Sequence, residues 1–191
     1  MRFFRNGSGQ KVGFDYCRYW RELSDEDLPI GPGILQRIHP TPPYQTVSEA
    51  NAMARHDMLL PRRAPQDIPT VATLLERFDR SPPLKKDVFA EFKITQPQGL
   101  PWHKHYEIVR DGCRAYFAYE LHLAAILAPH RPGLCGSENP NHAHVFVPAR
   151  PLNPEGFVGN PGNLCSDSGH ECAWESWTAF QRNWMAQGGV A

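Results

Sequence analysis

Glu138-Asn139-Pro140-Asn141-His142-Ala143-His144-Val145-Phe146-Val147 places two histidines one residue apart on an apolar, β-branched run. Successive strand side chains point to opposite faces, so His142 and His144 share one face while Val145 and Val147 pack on the other. Just upstream, Leu121-His122-Leu123-Ala124-Ala125-Ile126-Leu127-Ala128-Pro129 has the length and apolarity of a buried strand and runs into His130. The Gly- and Pro-containing stretch from Arg131 to Asn141 reads as a hairpin-type loop between the two. Pairing these strands brings His130, His142 and His144 together. Three neutral imidazoles with open positions left over can hold one divalent metal and polarise a carbonyl or phosphoryl oxygen. A His-x-His pair alone is also what ordinary surface histidines on a strand look like; the third histidine turns the pattern toward a metal.

Working outward, Val88 to Thr95 alternates, with Val88, Ala90, Phe92 and Ile94 on one face and Glu91 and Lys93 on the other, which predicts a strand with one polar side. Asp67 is placed to cap a helix whose apolar positions are Ile68, Val71, Leu74, Leu75 and Phe78. Pro101 to Tyr119 reads as a long helix. Trp174, Trp177, Phe180 and Trp184 line one side of a closing helix after a loop over Asn153 to Gly169. At the start, Met1 to Asp15 suits a hairpin or a strand leading into a loop, and Phe14-Asp15-Tyr16-Cys17-Arg18-Tyr19-Trp20-Arg21 reads as an aromatic, basic helical segment. Residues 24 to 65 form an irregular, proline-rich excursion, with a helix expected around Ser48 to Met58. The expectation is a single α+β domain over residues 1–191, built on a central antiparallel sheet of about five strands with flanking helices.

Composition narrows the classes. With 20 basic and 20 acidic residues there is no global pull toward nucleic acid or membrane, so any nucleic-acid role rests on local patches. No stretch reaches the roughly 20 apolar residues of a membrane span, and the first residues lack the apolar core of a signal peptide, which predicts a soluble, cytoplasmic protein. The 5 cysteines, an odd number, are expected to be reduced thiols. Cys165-x-x-x-x-His170-x-Cys172 matches no common zinc spacing.

At four places, in order, the chain resembles the MobA/MobL mobilisation relaxases, within the wider group of histidine-hydrophobe-histidine (HUH) single-strand endonucleases. Phe14-Asp15-Tyr16, followed by basic residues, is similar to the nucleophile segment; Leu60-Pro61 through Arg77-Phe78 looks like the connector and helix before the next strand. Ala90-Glu91-Phe92-Lys93-Ile94-Thr95-Gln96-Pro97 is similar to a strand of pattern Arg-Glu-Phe-Glu-Ile-Ala-Leu-Pro. His130, then Glu138-Asn139-Pro140-Asn141-His142-Ala143-His144 and Arg150-Pro151-Leu152, looks like the metal strand pair. Lys93 stands where the pattern has a second glutamate, and Asn141 is an extra residue before His142.

The resemblance implies a relaxase-like fold and nicking of one DNA strand at an origin of transfer, with accessory mobilisation proteins as partners. Tyr16 would attack a phosphodiester, forming a 5′-phosphotyrosine and releasing a 3′ hydroxyl. His130, His142 and His144 would hold Mn2+ or Mg2+, and Glu91 would orient a ligand imidazole. Arg5, Lys11, Arg18, Arg21, Lys85 and Lys86 are the expected DNA contacts. Tyr19, three positions on, is an equally reactive residue type. The competing expectations are a degenerate module that binds origin DNA or a partner without cutting, and an unrelated metal hydrolase or structural zinc protein.

Overall fold

A computed structural model describes residues 4–11, 13–20, 29–38, 56–81, 89–135, 138–159 and 163–187. Six strands form one antiparallel sheet: β1 (Phe4–Lys11), β2 (Phe14–Trp20), β3 (Asp57–Leu59), β4 (Phe89–Thr95), β5 (Ala125–His130) and β6 (His142–Pro148). Their order across the sheet is β1-β2-β4-β6-β5-β3, five full strands and a three-residue edge. A small hairpin, β7 (Leu152–Asn153) with β8 (Gly156–Phe157), lies in the stretch expected to be loop. Among the described residues the α-helices are α1 (Gly31–Ile38), α2 (Val71–Asp79), α3 (Trp102–Cys113) and α4 (Asp167–Ala186).

Alternation along the strands sorts the core into two layers. Phe14, Tyr16, Ala90, Phe92, Ile94, Leu127, Val145 and Val147 pack on one face with α3 and α4. Tyr19, Phe89, Ile126, Ala128 and Phe146 pack on the other with α1 and α2. A sheet sandwiched in this way buries both faces of its central strands, and the ladder fixes which residue goes where. The expected aromatic side of the closing helix packs as anticipated: Trp177 is buried, with Trp174, Phe180 and Trp184 against the same core.

Four local expectations are corrected. Phe14 to Trp20 is a strand, because aromatic side chains suit a pleated surface and Gly13, at φ 73°, makes the tight return from β1 that pairs Lys11 with Phe14. The cap of α2 is Thr70, whose hydroxyl accepts from Thr73 N at 3.1 Å; Pro69 pushes Ile68 out of helical conformation, and Asp67 instead pairs with Arg77 at 2.6 Å. The long helix breaks into α3 and a π-helical segment, Arg114–Glu120, in which Leu121 N bonds the Tyr116 carbonyl. The strand before the metal loop begins at Ala125 rather than Leu121. Of the helix expected around Ser48 to Met58, Asp57 and Met58 lie in β3, and residues 48–55 lie outside the described residues.

The helix ends are tied to one another. Asp79 at the end of α2 accepts from Ile30 N at 2.7 Å and Gly31 N at 2.9 Å, capping α1. Ser166 caps α4 through Gly169 N at 3.0 Å.

Candidate metal centre

β5 and β6 pair antiparallel, with His130 opposite His142 and Ala128 opposite His144. Residues opposite one another in a ladder share a face, so this register places all three imidazoles on the α1/α2 side, at the end of the sheet beyond Ile126 and Phe146. Ring centroids are 5.3 Å (His130 to His142), 4.7 Å (His130 to His144) and 4.9 Å (His142 to His144) apart. One nitrogen from each ring lies within 4.8 Å of the others. The expected trio is therefore assembled.

The donor chemistry fits a cation. His142 Nδ1 lies 2.9 Å from the Pro140 carbonyl and His144 Nδ1 lies 2.8 Å from Glu91 Oε1, so Nδ1 carries the proton in both rings and Nε2 is left as ligand. His130 Nε2 is buried and has no hydrogen-bond partner among the described residues, an omission that an ion would repair. Burial, aided by the neighbouring imidazoles, lowers the pKa of His130 to about 3. For His142 burial is again the largest cause, opposed by the Pro140 carbonyl, and the pKa falls to about 4. Both rings are thus neutral at pH 7, the state a metal requires.

Glu91 comes from β4, where alternation puts it on the histidine face between Phe89 and Lys93. Its second oxygen accepts from the Tyr19 hydroxyl at 2.6 Å, and the Tyr19 ring stacks on Phe89 at 4.3 Å. A buried carboxylate with two partners is held rigidly, and it holds His144 in turn. The sequence marks Tyr19 only as a rival attacker; its contact with Glu91 depends on the β2–β4 register, which pairs Cys17 with Glu91 and Tyr19 with Phe89.

Tyr16 is not brought to the histidines. It pairs with Phe92, on the α3/α4 face, where it is 3% exposed and its hydroxyl donates to the Leu164 carbonyl at 2.9 Å. His170 stacks on the ring at 4.8 Å. A residue embedded in a central strand cannot change faces without a register slip, so the expectation of Tyr16 beside the metal is corrected on geometric grounds. Two expected DNA contacts share that face: Arg18 donates to the Cys165 carbonyl at 3.0 Å, and Lys11 pairs with Glu171 at 3.1 Å. Arg5 lies on β1, while Arg21, Lys85 and Lys86 lie outside the described residues.

No protein-family profile matches the chain, and no curated protein matches it. Among solved structures, one described as "Molecular Basis of Vancomycin Resistance Transfer in Staphylococcus aureus" aligns with a TM-score of 0.57 at 17% identity, over 72% of this chain and 72% of that one. At that identity the likeness concerns the fold. The chain has the α+β, relaxase-like architecture that the resemblance implied. Among the described residues no helix is long and apolar enough to cross a membrane.

Proposed function

We propose that this chain is a metal-dependent single-strand DNA nickase of the mobilisation-relaxase kind, acting at an origin of transfer. The observation that carries the reading is the convergence of His130, His142 and His144 on one sheet face, with the buried Glu91 carboxylate behind His144. The relaxase-like fold and the ordered MobA/MobL-like motifs support it, as does the neighbour described in terms of resistance transfer. A divalent ion, when bound, supplies positive charge to the non-bridging oxygens of a phosphodiester as negative charge grows there. His130, His142 and His144 would hold it; Glu91 orients the His144 ring and keeps the proton on Nδ1. Imidazole nitrogen favours Mn2+ over Mg2+, whose preference is for oxygen.

In transesterification a phenol oxygen forms the new bond to phosphorus, the P–O3′ bond breaks, and the 3′ oxygen takes up a proton. With Tyr16 on the opposite face, the candidate for that phenol is Tyr19, already on the histidine face. The burial of Tyr16 favours a second reading, hydrolysis by a water at the same site without a covalent intermediate.

Incubation with single-stranded oligonucleotides spanning the origin-like repeats of the host element, plus Mn2+, tests both. A denaturation-resistant protein–DNA band that EDTA abolishes and His142→Ala removes is the expected result. Tyr16→Phe and Tyr19→Phe then assign the phenol. EDTA-sensitive cutting with no band in any form supports hydrolysis, and the absence of any cutting or adduct overturns the nickase.

A further inference from the structure

Directly across the ladder from His144 stands Lys93, with Asp15 as its opposite neighbour on β2. All three share the histidine face. Among the described residues Lys93 makes no ion pair, although Asp15 is beside it in register. Residues directly opposite in such a ladder have Cβ atoms about 5 Å apart, so the lysine stem starts beside the His144 ring.

A cation beside a metal centre works against the metal, so its presence calls for a physical account. The three imidazoles are uncharged. Glu91 and Asp15 contribute two negative charges and Lys93 one positive, so a divalent ion leaves the face with one net positive charge. A carboxylate at position 93, as in the resembling strand pattern, would leave one net negative charge instead. The residue at 93 thus decides whether the loaded face attracts or repels a phosphodiester, and in a partly desolvated site that difference is amplified.

We infer that Lys93 is a substrate-binding residue whose ammonium takes a non-bridging oxygen of the DNA phosphodiester held at the histidine face. The inference rests on the nickase reading and names its phosphate contact. With an ion held by the three histidines, Lys93 would add a second positive group to the phosphate, a point charge on a flexible stem suited to an oxygen whose position shifts during reaction.

The test is binding of a fluorescently labelled oligothymidylate to the Mn2+-loaded protein across a salt series, with Mn2+ affinity measured in parallel by calorimetry. Lys93→Gln is expected to weaken DNA binding and to reduce the slope of log affinity against log salt by about 0.7, the loss of one single-strand phosphate contact. Mn2+ affinity should be unchanged or higher. Lys93→Arg should restore the slope, and Lys93→Glu should bind Mn2+ more tightly and DNA more weakly than Lys93→Gln. Lys93→Met replaces Lys93→Gln if the latter fails to fold. An unchanged slope in a folded variant overturns the assignment while leaving the nickase standing. Wild-type protein that binds Mn2+ but no oligonucleotide overturns both.

Discussion

Glu91 Oε1 lies 2.8 Å from His144 Nδ1, so one buried carboxylate on β4 fixes the tautomer and orientation of a ring on the neighbouring strand. Glu91→Gln keeps the shape but replaces an anion with an amide. Loss of such an outer partner costs about 10–100-fold in metal affinity, and calorimetric titration with Mn2+ should show a loss in that range. Tyr19→Phe, which removes only the 2.6 Å donor to the other oxygen, should weaken Mn2+ binding less. Equal affinity for wild type and Glu91→Gln would show that the carboxylate does not act on the ligand.

Tyr16→Phe addresses the two faces of the sheet. The hydroxyl is buried against the Leu164 carbonyl, so its removal should lower stability by about 1 kcal/mol in urea denaturation. DNA cutting should persist. A variant of normal stability that no longer forms a covalent band would restore Tyr16 as the attacking group.

Acid should destabilise the metal-free protein earlier than ordinary carboxylate titration would. Burial is the first cause lowering His105 to about 4, His130 to about 3 and His142 to about 4, from an ordinary 6.5. Because the folded values lie below the unfolded ones, the unfolded chain binds more protons as pH drops. The contribution of these groups is complete above about 6.5 and is lost progressively toward about 4 for His105 and His142 and about 3 for His130. Denaturation midpoints measured in EDTA from pH 8 to pH 4 should be flat and then fall. His105, fully buried on α3 and outside the trio, offers a control: His105→Gln should flatten the fall without abolishing Mn2+ binding.

Gly169→Ala tests how α4 is seated. A Cβ at this position would sit 1.9 Å from the Asn163 carbonyl oxygen and 2.7 Å from Leu164 Cα, both backbone. The turn that receives the Tyr16 hydroxyl would have to move. A loss of about 1–3 kcal/mol, the usual range for overpacking, is expected in thermal or urea unfolding.

The metal strands were legible because a period of two is visible in any sequence: His142 and His144 against Val145 and Val147 left little room for another arrangement. Glu91 and Lys93 were readable for the same reason. The segment Phe14 to Trp20 was not, since its aromatic residues at positions 16, 19 and 20 satisfy helical spacing while those at 14, 16 and 20 satisfy strand alternation. That ambiguity hid which face each tyrosine takes. On a helix, Tyr16 and Tyr19 lie on one side; on a strand, an odd offset sends them to opposite faces, and only the ladder with β4 says which one meets Glu91. The switch of cap from Asp67 to Thr70 had a readable sign in Pro69, whose restriction on its predecessor was outweighed by the apolar pattern.

The direct pairing of His130 with His142 has a consequence for how this scaffold can diversify. Alignment of the two histidine strands is secured by their own backbone ladder, and the 11 residues between His130 and His142 can lengthen, shorten or be exchanged without disturbing it. A one-residue insertion or deletion inside β6 would instead turn Ala143 and Val145 to the α1/α2 face and His142 and His144 into the α3/α4 layer. The connector can therefore drift while the alignment of the three imidazoles stays fixed.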